Sequence, residues 1–174
     1  MSDIMLDIET LGTQPGCIVL SIGAVEFDNA LILRTFHAFI DPRDSAEYGL
    51  HIDAGTVMWW LGQSKEAQDA IVKMPPNPLI GSLKAFSEAF EWGDKRVWCN
   101  GAAFDFPILA GIFKAAGLPI PWKYYNEMDL RTIKGLLGVT KWKAIQVKPA
   151  LAHSALEDAV AQAKTVQNYY GSQA

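Results

Sequence analysis

Ile4-Met5-Leu6-Asp7-Ile8-Glu9 reads as a mostly apolar strand, and Leu11 to Gly16, with two glycines and a proline, turns the chain back. Cys17-Ile18-Val19-Leu20-Ser21-Ile22-Gly23-Ala24-Val25-Glu26-Phe27 follows, apolar and β-branched as a central strand requires. Asp28-Asn29 makes a hairpin turn, and Arg34 to Ile40 alternates as a third strand. Three consecutive strands joined by short turns predict an antiparallel meander.

Downstream of this meander the periodicity changes. From Asp53 to about Val72 it is helical, with Val57, Trp60, Leu61 and Ala67 on one face, and Met74-Pro75-Pro76-Asn77-Pro78 stops it. Leu79 to Trp92 reads as a second helix, with Leu83, Phe86 and Phe90 at helical spacing. Arg96 to Cys99 is a short buried strand, and the Asn100-Gly101 turn leads into a helix from about Phe104 to Ala116, closed by Gly117. A further short strand falls at Met128 to Leu130, then a helix through Leu137, and a last helix from about Ser154 to Tyr170. Strands first, then alternating helix and strand, describe an α/β fold: a meander extended by parallel strands into a mixed sheet with helices on both faces. Nothing in the chain reads as a linker or a repeat, so residues 1–174 are expected to form a single domain.

Half of the residues are apolar, enough for a full-sized core. There is no membrane-length apolar run and no signal-peptide pattern, so a cytoplasmic protein without membrane association is expected. Cys17 and Cys99 lack metal-ligand spacing and read as small buried hydrophobes. The net charge of −4 argues against non-specific coating of nucleic acid. Lys134, Lys141, Lys143 and Lys148 nevertheless gather around Trp142, each most simply a solvated side chain, together a candidate phosphate-contacting rim.

Three short islands carry the chemistry: Asp7-Ile8-Glu9-Thr10, Asn100 to Asp105, and His153 to Asp158. Asp7 and Glu9, two apart on a strand, share a face at about 7 Å along the chain. Two acids on an apolar strand are costly unless a cation compensates them. Asp105 stands just inside a helix start, where complementarity to the helix dipole would suffice to explain it. It also projects from the carboxyl end of a sheet strand, where open α/β sheets place their sites. Ser154 and Glu157 have the spacing of a capping box, which puts Asp158 in a rigid first turn and leaves His153 on the preceding loop. Within one helix, His153 would point roughly 140° away from Asp158; from a loop it can turn back. Four oxygen ligands and one histidine suit divalent cations and phosphodiester hydrolysis.

In this order the islands resemble the DEDD superfamily of 3′–5′ exonucleases, in its histidine-bearing (DEDDh, DnaQ-like) branch. Asp7-Ile8-Glu9-Thr10-Leu11-Gly12-Thr13, the strand from Ile18 to Val25, and Thr56-Val57-Met58-Trp59-Trp60 with Gln63 are similar to its small single-domain group of phage exonuclease A and bacterial exoribonuclease-like proteins. The resemblance implies a ribonuclease H-like fold and two Mg²⁺ or Mn²⁺ ions held by Asp7, Glu9, Asp105 and Asp158. It implies His153 as general base, and Thr10 and Leu11 on the 3′-terminal nucleotide, with Leu11 beside its base. Phe104 is a second stacking candidate, although core packing explains it equally well. The implied partner is single-stranded DNA or RNA with a free 3′ end. Trp59 and Trp60, about 100° apart on a helix, cannot both stack on bases; the other would enter the core or a homodimer contact. Asp129 reads as structural, paired with Arg131 or nearby backbone. Two other functions fit the same islands less well: hydrolysis of very short oligonucleotides or nucleotide conjugates, and non-catalytic nucleic-acid binding, which would have little use for the complete acid set.

Overall fold

The computed structural model describes residues 2–72 and 75–173. Strands β1 (Asp3–Thr10), β2 (Val19–Phe27) and β3 (Ile32–Phe39) form the expected antiparallel meander, and β4 (Val97–Cys99) and β5 (Glu127–Asp129) extend it in parallel. The strand order is β3-β2-β1-β4-β5. The sheet is thus mixed, as the sequence predicts, and β1 lies at its centre between an antiparallel and a parallel neighbour.

Alternation along β1 explains the two-sided core. Ile4, Leu6 and Ile8 enter one cluster with Leu83, Phe86, Ile108 and Ile112, from α4 (Leu79–Glu88) and α5 (Ala102–Ala115). Met5 enters the opposite cluster with Val25, Phe27, Trp98, Ala159 and Val166, beneath α7 (Ala155–Gly171). Every residue of β2 is buried because helices cover both faces. Burying a large apolar side chain contributes about 1.5–3 kcal/mol, so this double layer supplies the main driving force for folding.

Several elements differ from expectation. The predicted helix over 53–72 is two helices, α2 (Ala54–Leu61) and α3 (Lys65–Val72), separated by Gly62, Gln63 and Ser64. The break is stabilised locally: the Gln68 amide donates to the carbonyls of Trp60, Leu61 and Gln63, at the end of the first helix and in the turn after it. Trp60 and Ala67 are buried as predicted, but Leu61 is exposed. Met74 lies outside the described residues. The helix expected to reach Trp92 ends at Glu88, and the Trp92 indole bonds back to the Ser87 carbonyl at 2.9 Å. A short helix α1 (Pro42–Glu47) was not predicted, although Asp41 as N-cap and Pro42 at the first position are legible start signals. The helix expected to end at Leu137 continues as α6 (Leu130–Ile145) through a break at Gly138, whose φ of 70° and ψ of 171° are non-helical. Trp142 beyond the break packs into the second core cluster. The Lys134 ammonium lies over that ring, 5.8 Å from its centroid. Among the described residues, no helix is long and apolar enough to cross a membrane.

Gly23 decides how closely α7 approaches the sheet. It pairs with Asp7 on one side and His37 on the other. A Cβ there would lie 2.2 Å from the Ala155 carbonyl carbon and 2.3 Å from the Leu156 nitrogen, both backbone atoms. The first turn of α7 can therefore rest on the sheet only over a glycine. Gly23→Ala is expected to push that turn outward and destabilise the fold by about 1–3 kcal/mol, through overpacking against atoms that cannot rotate away. Thermal melting checks this; an unchanged midpoint would show that α7 sits on the sheet for other reasons.

Candidate active site

Positions 3, 5, 7 and 9 of β1 share the α7 face, and the chain neutralises its acids there very differently. Asp3 is buried and satisfied: the Arg96 Nε, the Trp98 Nε1 and the Tyr170 hydroxyl donate to it at 2.9, 3.0 and 2.9 Å. Asp7 and Glu9, nearer the carboxyl end of the strand, face other acids instead. One carboxylate oxygen from each of Asp7, Glu9 and Asp158 lies within 4.8 Å of the others. Asp7 accepts a 2.8 Å hydrogen bond from the Gln162 amide, one turn beyond Asp158 on α7.

Asp105 is buried beside this trio, outside the three-oxygen cluster. It stands in the first turn of α5, just past the end of β4. The Arg131 charge and the donors around the carboxyl, the Cys99 thiol and the Ile8 backbone among them, favour its ionised form. Cys17 and Cys99 are both free buried thiols.

The electrostatic consequence is uniform. Burial, then the charges of Asp158 and Asp105, push the Glu9 carboxyl up to about 8. Burial likewise raises Asp105 to about 7, against the opposing hydrogen bonds and Arg131. Asp7 is raised well above the carboxylate range by burial and by Asp105, Glu9 and Asp158, and Asp158 is raised chiefly by burial. Such mutual repulsion among oxygen-only donors is the chemistry a hard divalent cation relieves.

Ser154 occupies the N-cap of α7 with extended backbone, but its side chain makes no capping hydrogen bond, so the expected capping box does not close. The Asp158 N–H bonds the Ser154 carbonyl at 2.9 Å, and the backbone around His153 and Ser154 favours the ionised form of the Asp158 carboxyl. His153 lies on the loop before the helix, as expected, with a left-handed φ of 63°. Its ring meets those of Trp59 and Trp60 nearly at right angles, at centroid distances of 5.0 and 6.1 Å.

A cavity of about 460 Å³ adjoins the acids, lined by Glu9, Thr10, Trp59, Trp60 and Phe104 among others. Glu9 thus belongs to both the acid cluster and the cavity wall. Trp60 is buried and its indole donates to the Thr10 carbonyl at 2.9 Å, whereas Trp59 is half exposed. The Thr10 hydroxyl donates to the Gly12 carbonyl at 2.6 Å. Leu11 does not join this cavity. It packs on the main core and lines a neighbouring groove with Leu20, Phe39 and Ile71. Leu11 lies just beyond the end of β1, where its N–H bonds the Ile18 carbonyl at 2.8 Å, so the strand's alternation no longer sets its direction. Asp129 is structural, as read: it caps α6, accepting from the Arg131 N–H at 3.0 Å and the Thr132 hydroxyl at 3.3 Å.

Sequence reasoning overlooked Gln162 and Gly23. Gln162 had a signal, standing four residues after Asp158 on one helix face. Gly23 also had one, as the single glycine in a buried strand.

A mixed five-stranded sheet of this order, with acids converging at the end of its central strand, is a ribonuclease H-like arrangement. Residues 2–170 match the model of the 3′-5′ exoribonuclease Rv2179c-like domain, and the chain belongs to that family of 3′–5′ exonucleases. An exodeoxyribonuclease of Enterobacteria phage T4 is 26% identical over 166 residues, covering 79% of this chain and 73% of that protein. Among solved structures, exonuclease I superposes with a TM-score of 0.72 at 15% identity over 98% of this chain. This chain spans only 41% of exonuclease I. Exonuclease X in complex with 5′-overhanging duplex DNA gives 0.62 at 15% identity, with 97% of this chain and 91% of that one covered. The nuclease domain of 3′hExo, a DEDDh family member bound to rAMP, gives 0.61 at 12% identity, with 98% and 92% covered. At these identities the structural likeness establishes the fold alone.

Proposed function

We propose that residues 1–174 act as one cytoplasmic exonuclease domain that removes nucleoside 5′-monophosphates from the 3′ end of single-stranded DNA or RNA. The observation that carries this reading is the sharing of Glu9 between the acid cluster and the aromatic cavity. A strand whose last base enters the cavity would present its terminal phosphodiester to the acids. Asp7, Glu9 and Asp158, with Asp105 beside them, would hold two Mg²⁺ or Mn²⁺ ions, which when bound lower the pKa of water and neutralise charge developing on the phosphate and departing 3′ oxygen. His153 takes the proton from the attacking water at an imidazole nitrogen. Water oxygen bonds to phosphorus, the bond from phosphorus to the upstream O3′ breaks, and that oxygen takes a proton from solvent water to leave as a hydroxyl. Phe104 and the half-exposed Trp59 offer faces to the terminal base, and Thr10 lies at the cavity wall; Leu11, turned into the neighbouring groove, has no part in this arrangement.

The relatives point to both sugars, since the family is described as exoribonuclease and the phage relative as exodeoxyribonuclease. The two free cysteines accord with a reducing compartment. Four acids held at such electrostatic cost would serve no purpose in a passive binding module.

A strand ending in a 3′-phosphate should resist degradation, because the cavity must receive a free terminus, and a circular single strand should survive intact. Gel analysis of both substrates with Mg²⁺ or Mn²⁺ checks the direction. Cutting of the circle would establish an endonuclease and overturn the proposal.

A further inference from the structure

Accepting His153 as the base, we infer that Trp59 is a positioning residue that seats its imidazole, so that the cavity wall itself sets the geometry of proton removal. His153 stands on a loop with a left-handed backbone, a conformation uncommon outside glycine, and needs side-chain contacts to hold its ring in one place. The Trp59 ring supplies one at 5.0 Å and 87°, a perpendicular aromatic contact of favourable geometry. Trp59 is braced in turn by Trp60, at 5.0 Å and 77°. Trp60 is buried and bonded to the Thr10 carbonyl, next in sequence to Glu9.

The contacts therefore form a closed circuit. Glu9 and Thr10 lead through Trp60 and Trp59 to His153, and from there through the first turn of α7 to Asp158, which meets Asp7 and Glu9 again. Two parts of the chain about ninety residues apart are thereby registered against each other: the N-terminus of α7 and the helix carrying both tryptophans. Trp59 also lines the cavity, so the side chain that meets the terminal base is the one that steadies the histidine. This goes beyond a stacking role, in which Trp59 would affect substrate affinity alone.

The test is a double-mutant cycle read as kcat and KM on one single-stranded oligonucleotide. Trp59→Leu keeps apolar bulk at a half-exposed position but removes the ring, and Trp59→Phe keeps a ring. Trp59→Leu should lower kcat roughly 10- to 100-fold with a smaller change in KM, the cost of a misplaced catalytic group. Trp59→Phe should recover most of that loss. In a His153→Ala background, Trp59→Leu should change kcat by no more than about twofold, because a positioning effect vanishes with the group positioned. Equal fractional losses in both backgrounds, or a loss confined to KM, would overturn the positioning role while leaving the assignment of the base intact. A wild-type rate in His153→Ala alone would sink that assignment and this inference with it.

Discussion

Asp7→Asn should abolish hydrolysis and, at the same time, make the metal-free protein more stable. The first effect follows because Asp7 belongs to the three-oxygen cluster and because bound cations supply several kcal/mol of transition-state stabilisation, roughly 10³-fold or more in rate. The second follows because its carboxylate is buried against Asp105, Glu9 and Asp158. The amide preserves the shape and still accepts from Gln162. The wild-type pH dependence has the same origin. Glu9 at about 8 and Asp105 at about 7 bind protons more tightly in the folded than in the unfolded chain. Their contribution to stability is complete below the ordinary carboxylate range and is lost as pH rises through about 7 to 8. Metal-free melting temperatures should therefore fall between about pH 5.5 and pH 8.5, and Mg²⁺ or Mn²⁺ should restore more at the higher pH, since cations bind the ionised form. Melting curves for both proteins, with and without the ion, check this. A wild-type rate in Asp7→Asn, or an undiminished metal-induced shift, would show that the acids are not the metal site.

His153→Ala should slow turnover by roughly 10²–10⁴-fold while leaving the metal-induced rise in melting temperature nearly intact. The separation is structural. His153 lies on the loop with its ring against Trp59 and Trp60, whereas the acid of the same island, Asp158, lies inside α7 and belongs to the carboxylate cluster. Asp158→Asn, by contrast, should impair both metal response and turnover. An unchanged rate in His153→Ala would leave the histidine as a packing residue for the two indoles.

The meander was legible because residues 4 to 40 combine β-branched composition with short turns, and a two-residue period leaves little choice of face. The break near Gly62 was not, because what stabilises it is a glutamine side chain reaching back from the next helix. Similarly, α6 continues past Gly138 because Trp142 finds a place in the core, a tertiary reason that local propensity does not carry. At the site, residue type and order were enough to nominate Asp7, Glu9, Asp105, Asp158 and His153, since unpaired acids on apolar elements imply a charge to come. Direction was harder. Leu11, just past the end of β1, lines the neighbouring groove, and the Ser154 side chain makes no capping hydrogen bond to α7. Both depend on backbone geometry that spacing alone does not fix.

The central claim is tested most directly by following one single-stranded oligonucleotide, labelled at its 5′ end, as DNA and as RNA, with Mg²⁺ or Mn²⁺. Progressive shortening from the 3′ end, with nucleoside 5′-monophosphates as product and complete loss of the reaction in Asp7→Asn, is the predicted result. Immediate release of a labelled mononucleotide from the 5′ end, or shortening that persists in Asp7→Asn, would contradict it.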